Sequence, residues 1–208
     1  MHPWVAEHWL PLFDRLATED HLVLDGVFDA DILQALETSL HGHLAAGDLH
    51  KAGIGALADH QVDTTVRGDE VHWLDRGREP DLEPFFQRME ELLALLNRYC
   101  YLSLSGWEFH FAHYPPGTFY KRHRDQFRGR GNRLISVVLY LNRDRRPGDG
   151  GELRLFLPDE ERLVEPLYGR LVLFKSDVLE HEVLPTRTDR YSLTGWLLHQ
   201  PPGLGFLG

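Results

Sequence analysis

His123-Arg124-Asp125 sets an imidazole and a carboxylate two residues apart. On an extended segment, residues i and i+2 face the same side, so both side chains could meet one ion. A second imidazole, His181, falls on a later strand-like run. Two imidazoles and one carboxylate form the cage that holds non-haem iron(II) and leaves coordination positions open. Those positions suit a bidentate 2-oxo acid and then dioxygen. A chain with 13 histidines contains about one His-x-Asp pair by chance, so the weight rests on the surroundings.

Three neighbours add that weight. Arg190 follows His181 after a turn at Pro185, so neighbouring strands would return it beside the metal. A guanidinium fork there can grip a carboxylate bidentately. Arg190, Ser192, Thr194 and Trp196 alternate onto one face, and Tyr191, Leu193 and Leu197 onto the other. The first set suits a polar pocket better than a dry core. Tyr140 could bring a phenol to the same carboxylate. Tyr114 ends the strand-like run from Trp107, on the face opposite Trp107, Phe109 and Phe111. A basic stretch (Lys121, Arg122, Arg124, Arg128, Arg130, Arg133) reads either as a solvated loop or as a positive rim around an anion site. No Gly-x-Ser-x-Gly elbow marks a Ser-His-Asp hydrolase. A cysteine-poor site with an Asp ligand suits iron(II) or manganese better than zinc.

The elements that must position these groups follow from periodicity. Residues 4–17 carry Trp4, His8, Leu12 and Leu16 at helical spacing. A second helix, capped by Asp29 or Asp31 and ended by Gly47, presents Ile32, Ala35, Leu36, Ser39, Leu40 and Leu44. A third starts near Asp81, with Pro84 in its first turn and Phe85, Met89, Leu92, Leu93 and Leu96 on one face. Residues 47–66 are polar, glycine-rich and too long for an ordinary connector, which suggests a lid or binding finger. From Trp107 the period becomes two, with short runs at 107–114, 134–141, 153–157, 170–174, 180–184 and 190–198 separated by turn signals. That pattern predicts an α+β, mainly β fold: an antiparallel sandwich or jelly roll with helices on one outer face. The 208 residues fit one domain, with helical support and the finger in 1–100 and the catalytic core in 101–200.

Composition limits the functional classes. A formal net charge of -10 argues against general nucleic-acid affinity. No apolar run approaches the roughly 18 residues of a membrane span. Met1-His2-Pro3-Trp4 lacks a signal-peptide pattern, and Cys100 is a lone cysteine. A cytoplasmic, reducing location is the expectation.

Several segments together carry a family resemblance. They are Tyr114-Pro115, Tyr120-Lys121-Arg122-His123-Arg124-Asp125, Tyr140-Leu141-Asn142, Gly150-Gly151-Glu152-Leu153-Arg154-Leu155-Phe156, Ser176-Asp177, His181-Glu182-Val183 with Pro185, and Arg190-Tyr191-Ser192-Leu193-Thr194-Gly195-Trp196. Upstream, Arg67-Gly68-Asp69 precedes Trp73. In this order they resemble the catalytic core of prolyl 4-hydroxylases, in particular the group of animal oxygen-sensing enzymes and their bacterial relatives.

The resemblance implies a double-stranded β-helix, iron(II), 2-oxoglutarate and O2, with succinate and carbon dioxide as co-products and ascorbate a candidate stimulant. It implies His123, Asp125 and His181 as iron ligands, and Arg190 and Tyr140 on the distal carboxylate of 2-oxoglutarate. Tyr114 would bond near its metal-bound end, and Trp196, Leu153, Val138, Val183 and Thr194 would line the pocket. Arg67 and Asp69 would form the base of the finger, with Arg133 an ionic partner for Asp69. The implied partner is a protein carrying a target proline, a translation factor being a candidate, with no nucleic acid and no membrane. His110 and Lys175 depart from the family pattern. Rival readings are a hydroxylase of a free amino acid or small molecule, a nucleic-acid demethylase (opposed by Trp196 where those enzymes usually carry a further arginine), and a non-catalytic sensor on the same fold.

Overall fold

The computed structural model of the chain describes residues 4–53, 63, 65–126 and 131–199. Residues 54–62 and 64 of the expected finger, and Arg128 and Arg130 of the basic stretch, lie outside the described residues.

Three helices lie in the first half of the chain, with short strands between them. Helix α1 (Ala6–Glu19) buries Trp9, Phe13 and Leu16. The expected stripe through His8 and Leu12 is therefore displaced by one position. Trp9 and Phe13, one turn apart, stack at 5.6 Å, and the larger aromatic surface wins the buried side. Helix α2 (Ala30–Ala46) begins after Asp29, ends at Gly47 (φ 75) and buries Ile32, Leu33, Leu36 and Leu40. A 3-10 turn (Pro80–Leu82) leads into α3 (Glu83–Cys100), which buries Phe85, Phe86, Met89, Leu92 and Leu96.

The strands are β1 (His21–Leu24), β2 (His50–Lys51), β3 (Glu70–Trp73), β4 (Leu104–Tyr114), β5 (Tyr120–His123), β6 (Arg133–Tyr140), β7 (Leu153–Phe156), β8 (Glu161–Val164), β9 (Leu171–Lys175), β10 (Glu180–Val183) and β11 (Arg190–His199). They pair as one sheet in the order β1-β9-β6-β11-β4-β3-β2 and a second in the order β5-β10-β7-β8. Every pairing of these strands is antiparallel. This is the jelly roll anticipated above. The two-residue strand β2 falls within the stretch expected to be irregular, paired to β3.

The strand alternation divides the core in two. Outward residues of the large sheet (Phe109, Phe111, Leu139, Leu193, Leu197) pack with Trp9, Leu36, Phe85 and Met89 of the helices. Inward residues (Ala112, Tyr114, Val138, Tyr140, Val172, Phe174) pack with Leu153, Leu155 and Val183 of the small sheet. The site lies at the open mouth of this inner layer. Gly195 permits the close contact of β11 and β4, because a Cβ there would collide with the Phe109 ring.

Candidate active site

Strands β5 and β10 pair with His123 directly opposite His181. Their rings lie 4.2 Å apart between centroids. Asp125 sits two residues past the end of β5 in a bend, rather than on the extended segment that its spacing predicts. The bend turns its carboxylate between the two rings. Asp125 Oδ1 is 3.6 Å from His123 Nε2, and Oδ2 is 3.6 Å from His181 Nε2.

The chain presets which atoms face the centre. His123 Nδ1 is 2.7 Å from the Lys121 carbonyl, and His181 Nδ1 is 3.4 Å from the Leu179 carbonyl. A carbonyl only accepts, so each Nδ1 is the proton-bearing nitrogen and each Nε2 presents its lone pair. Burial, reinforced by His123, pushes the His181 imidazole down to about 4 and keeps it neutral. Burial alone would raise Asp125, yet His181, His123 and Ser136 hold its carboxyl far below the usual range. A neutral His181 imidazole and an ionised Asp125 carboxylate are protonation states that metal ligation requires. Behind them, the buried Ser136 hydroxyl donates to Asp125 Oδ2 at 2.6 Å and lies 2.8 Å from Ser176 Oγ. Since Ser136 spends its proton on Asp125, Ser176 donates to Ser136.

Arg190 opens β11 opposite Tyr114. It is only 2% exposed, and among the described residues no carboxylate pairs with it. Its Nε donates to the Gly151 carbonyl at 2.8 Å, and the guanidinium lies over the rings of Tyr114 (4.7 Å) and Tyr140 (5.1 Å). Gly151 has φ 72, and a Cβ there would stand 3.0 Å from Arg190 Cδ. Glycine thus lets the backbone carbonyl reach and aim the guanidinium. Among the described residues the buried Tyr140 hydroxyl has no partner within hydrogen-bond geometry. A buried cation and an orphaned phenol side by side are costly unless an anionic acceptor joins them. The donor set and this unmatched pair fit iron(II) and a small dicarboxylic acid.

The remaining expected residues are gathered unequally. Tyr114, Leu153, Val138, Val183, Thr194 and Trp196 line the cleft with the triad and Arg190. Tyr140 is fully buried and is not among the lining residues, its ring lying 5.1 Å from the Arg190 guanidinium. The expected Asp69–Arg133 ion pair is replaced. Arg67 and Asp69 project from the same side of an extended segment, and Arg67 donates to both Asp69 oxygens at 2.7 and 2.5 Å. Arg133 instead bonds Glu108 at 2.7 Å and lies 3.5 Å over the Trp196 ring. The basic stretch splits likewise: Arg122 pairs with Glu180, while Arg124 and Arg133 line the cleft.

Sequence reasoning missed several participants. Ser136 was findable as a hydroxyl at an inward position of an apolar strand. Tyr120 stacks on His123, and Glu108 holds Arg133. His110, a departure from the family pattern, is a buried wall of the cleft facing Trp73 and Trp196. Burial, aided by Arg67, pushes it down to about 3.

Residues 109–198 match the sequence model of the 2OG-Fe(II) oxygenase superfamily. The chain is 33% identical over 165 residues to mouse Egl nine homolog 1, a match covering 73% of this chain and 40% of that protein. It therefore spans well under half the length of that relative. It is 32% identical over 192 residues to mouse prolyl hydroxylase EGLN3, covering 85% and 75% respectively. A Pseudomonas putida prolyl-4-hydroxylase crystal structure superposes with a TM-score of 0.83 at 38% identity, covering 92% of this chain and 99% of that one.

Proposed function

The chain belongs to the 2OG-Fe(II) oxygenase superfamily, and within it we propose that the protein is a prolyl 4-hydroxylase acting on a prolyl residue of another protein. One observation carries the reading: the His123–Asp125–His181 cage opens beside a buried Arg190 that lacks a carboxylate among the described residues. When bound there, iron(II) supplies dioxygen activation coupled to oxidative decarboxylation of 2-oxoglutarate, giving succinate, carbon dioxide and a hydroxylated substrate.

The chain's own residues do the positioning. Arg190 and Tyr140 would hold the distal carboxylate of the co-substrate. Val138, Leu153 and Val183 form an apolar wall that excludes water from its methylene chain. Trp73, 51% exposed and 6.2 Å from Trp196, extends an aromatic rim out of the cleft. An aromatic rim at an open mouth suits a proline ring presented on a longer chain better than a free amino acid. The lone cysteine favours a reducing, cytoplasmic setting.

The test is 2-oxoglutarate turnover with free proline against proline-containing peptides, followed by mass spectrometry of the peptides. The reading expects one added oxygen on a prolyl residue and succinate in equal amount. Turnover with free proline alone would replace it with small-molecule hydroxylation. A translation factor is the first protein to assay among candidate substrates.

A further inference from the structure

His72 lies on β3 between Val71 and Trp73, so it points away from the cleft that Trp73 borders. There its ring stacks on that of His43 from the last turn of α2, centroids 3.7 Å apart and 22° from parallel. Glu79, in the turn before α3, faces both: its Oε1 is 3.0 Å from His43 Nε2 and 3.8 Å from His72 Nε2. We propose that His43, His72 and Glu79 form a second divalent-metal site.

Three observations support the assignment. One residue sets both rings: Asp48 Oδ2 lies 3.0 Å from His43 Nδ1, and the Asp48 carbonyl lies 3.3 Å from His72 Nδ1. Both Nε2 atoms are thereby left to face Glu79, with a carboxylate behind one imidazole as in many zinc sites. The donor atoms lie within 4.8 Å of one another. Bonds of about 2.0–2.1 Å to zinc place neighbouring donors roughly 3.4 Å apart, so unstacking the rings by side-chain rotation closes the difference. Finally, a groove lined by Asp31, Asp48 and Asp81, with Arg78 as its one cation among the described residues, reaches His43 and Glu79 of the cluster and leaves room for a solvent ligand. Two imidazoles, one carboxylate and one open position are a donor set that zinc shares with iron(II) and manganese, and zinc serves as the probe. The negative end of α2 also favours a cation. An ion held there would tie α2 and the turn at Glu79 to β3, the strand that carries Trp73.

The test separates this site from the catalytic cage. A His123→Ala/His181→Ala variant of the whole chain removes two of the three cage ligands. Zinc is titrated into it against a chromophoric chelator, and cobalt(II) is followed by its visible absorption. One equivalent is expected to bind. Adding His72→Gln abolishes that equivalent, and adding Asp48→Asn weakens it by about 10- to 100-fold. Circular dichroism checks folding, and Glu79→Gln replaces His72→Gln if that variant misfolds. No binding at millimolar zinc would overturn the proposal, the cluster then being a hydrogen-bond network only. Undiminished binding in both the His72 and Glu79 variants would overturn it too.

Discussion

The phenol ring of Tyr120 lies flat on the imidazole of His123, centroids 3.6 Å apart and planes within 15° of parallel. Arg67 also lies over the Tyr120 ring, 4.3 Å from its centroid, and is itself fixed by the buried carboxylate of Asp69. An ion pair at the edge of the expected finger is thus connected through one aromatic ring to a metal ligand. Tyr120→Ala is expected to weaken cobalt(II) or manganese(II) binding by about 10-fold or more. Tyr120→Phe keeps the stack and stays near wild type in calorimetric titration. Equal losses in both variants would assign the effect to the hydroxyl instead.

Ser136 and Ser176 form one chain of hydroxyls behind Asp125. Ser136→Ala leaves a buried carboxylate oxygen short of a donor, a loss of about 1–3 kcal/mol in urea unfolding of the metal-free protein. Because the two serines act in series, the Ser136→Ala/Ser176→Ala double variant should lose less than the sum of the singles. Additive losses would mean that they act separately.

Gly151→Ala tests the aim of Arg190. A methyl group at φ 72 is strained and presses on Arg190 Cδ. The expected outcome is a higher KM for 2-oxoglutarate, by roughly 10-fold if about 1.4 kcal/mol of the clamp is lost, with metal affinity unchanged. A parallel fall in metal affinity would indicate general disruption of the cleft.

The legible parts of the molecule were those whose pattern is set by burial on one face. Leu134–Leu141 and Arg190–Leu198 alternate because one side meets the helices and the other the cleft, so their strands and the Arg190 face could be read directly. β5 could not. Tyr120–His123 is an edge strand with Lys121 and Arg122 exposed, and its charge reads as loop. β8, with Glu161 exposed at the other edge of the same sheet, was missed for the same reason. The cage residues were legible as a chemical type. Their supports were not, because Ser136 reaches Asp125 across 11 residues and Arg67 reaches Tyr120 across 53, contacts that only the folded sheets create.

His110 gives a pH prediction. Its folded value of about 3 lies below the ordinary unfolded value of about 6.5, so the unfolded chain binds the proton more tightly. Its contribution to stability is therefore complete above pH 6.5 and is lost as pH falls from there toward 3. Urea unfolding of the metal-free protein should weaken over this window, and less steeply in His110→Gln. Identical pH slopes in the two proteins would mean that His110 is not held neutral.

On the proposed function, Arg190 grips the far carboxylate of a 2-oxo acid chelated at the His123–Asp125–His181 metal. The direct measurement is the charge-transfer absorption of the iron(II)-loaded protein, titrated with 2-oxoglutarate without oxygen. Wild type should develop the band, and Asp125→Ala should not. Arg190→Met, which keeps volume but loses charge-assisted bonds of about 1.5–3 kcal/mol, should need about 10- to 100-fold more 2-oxoglutarate. An unchanged titration in Arg190→Met, or an intact band in Asp125→Ala, would rule this arrangement out.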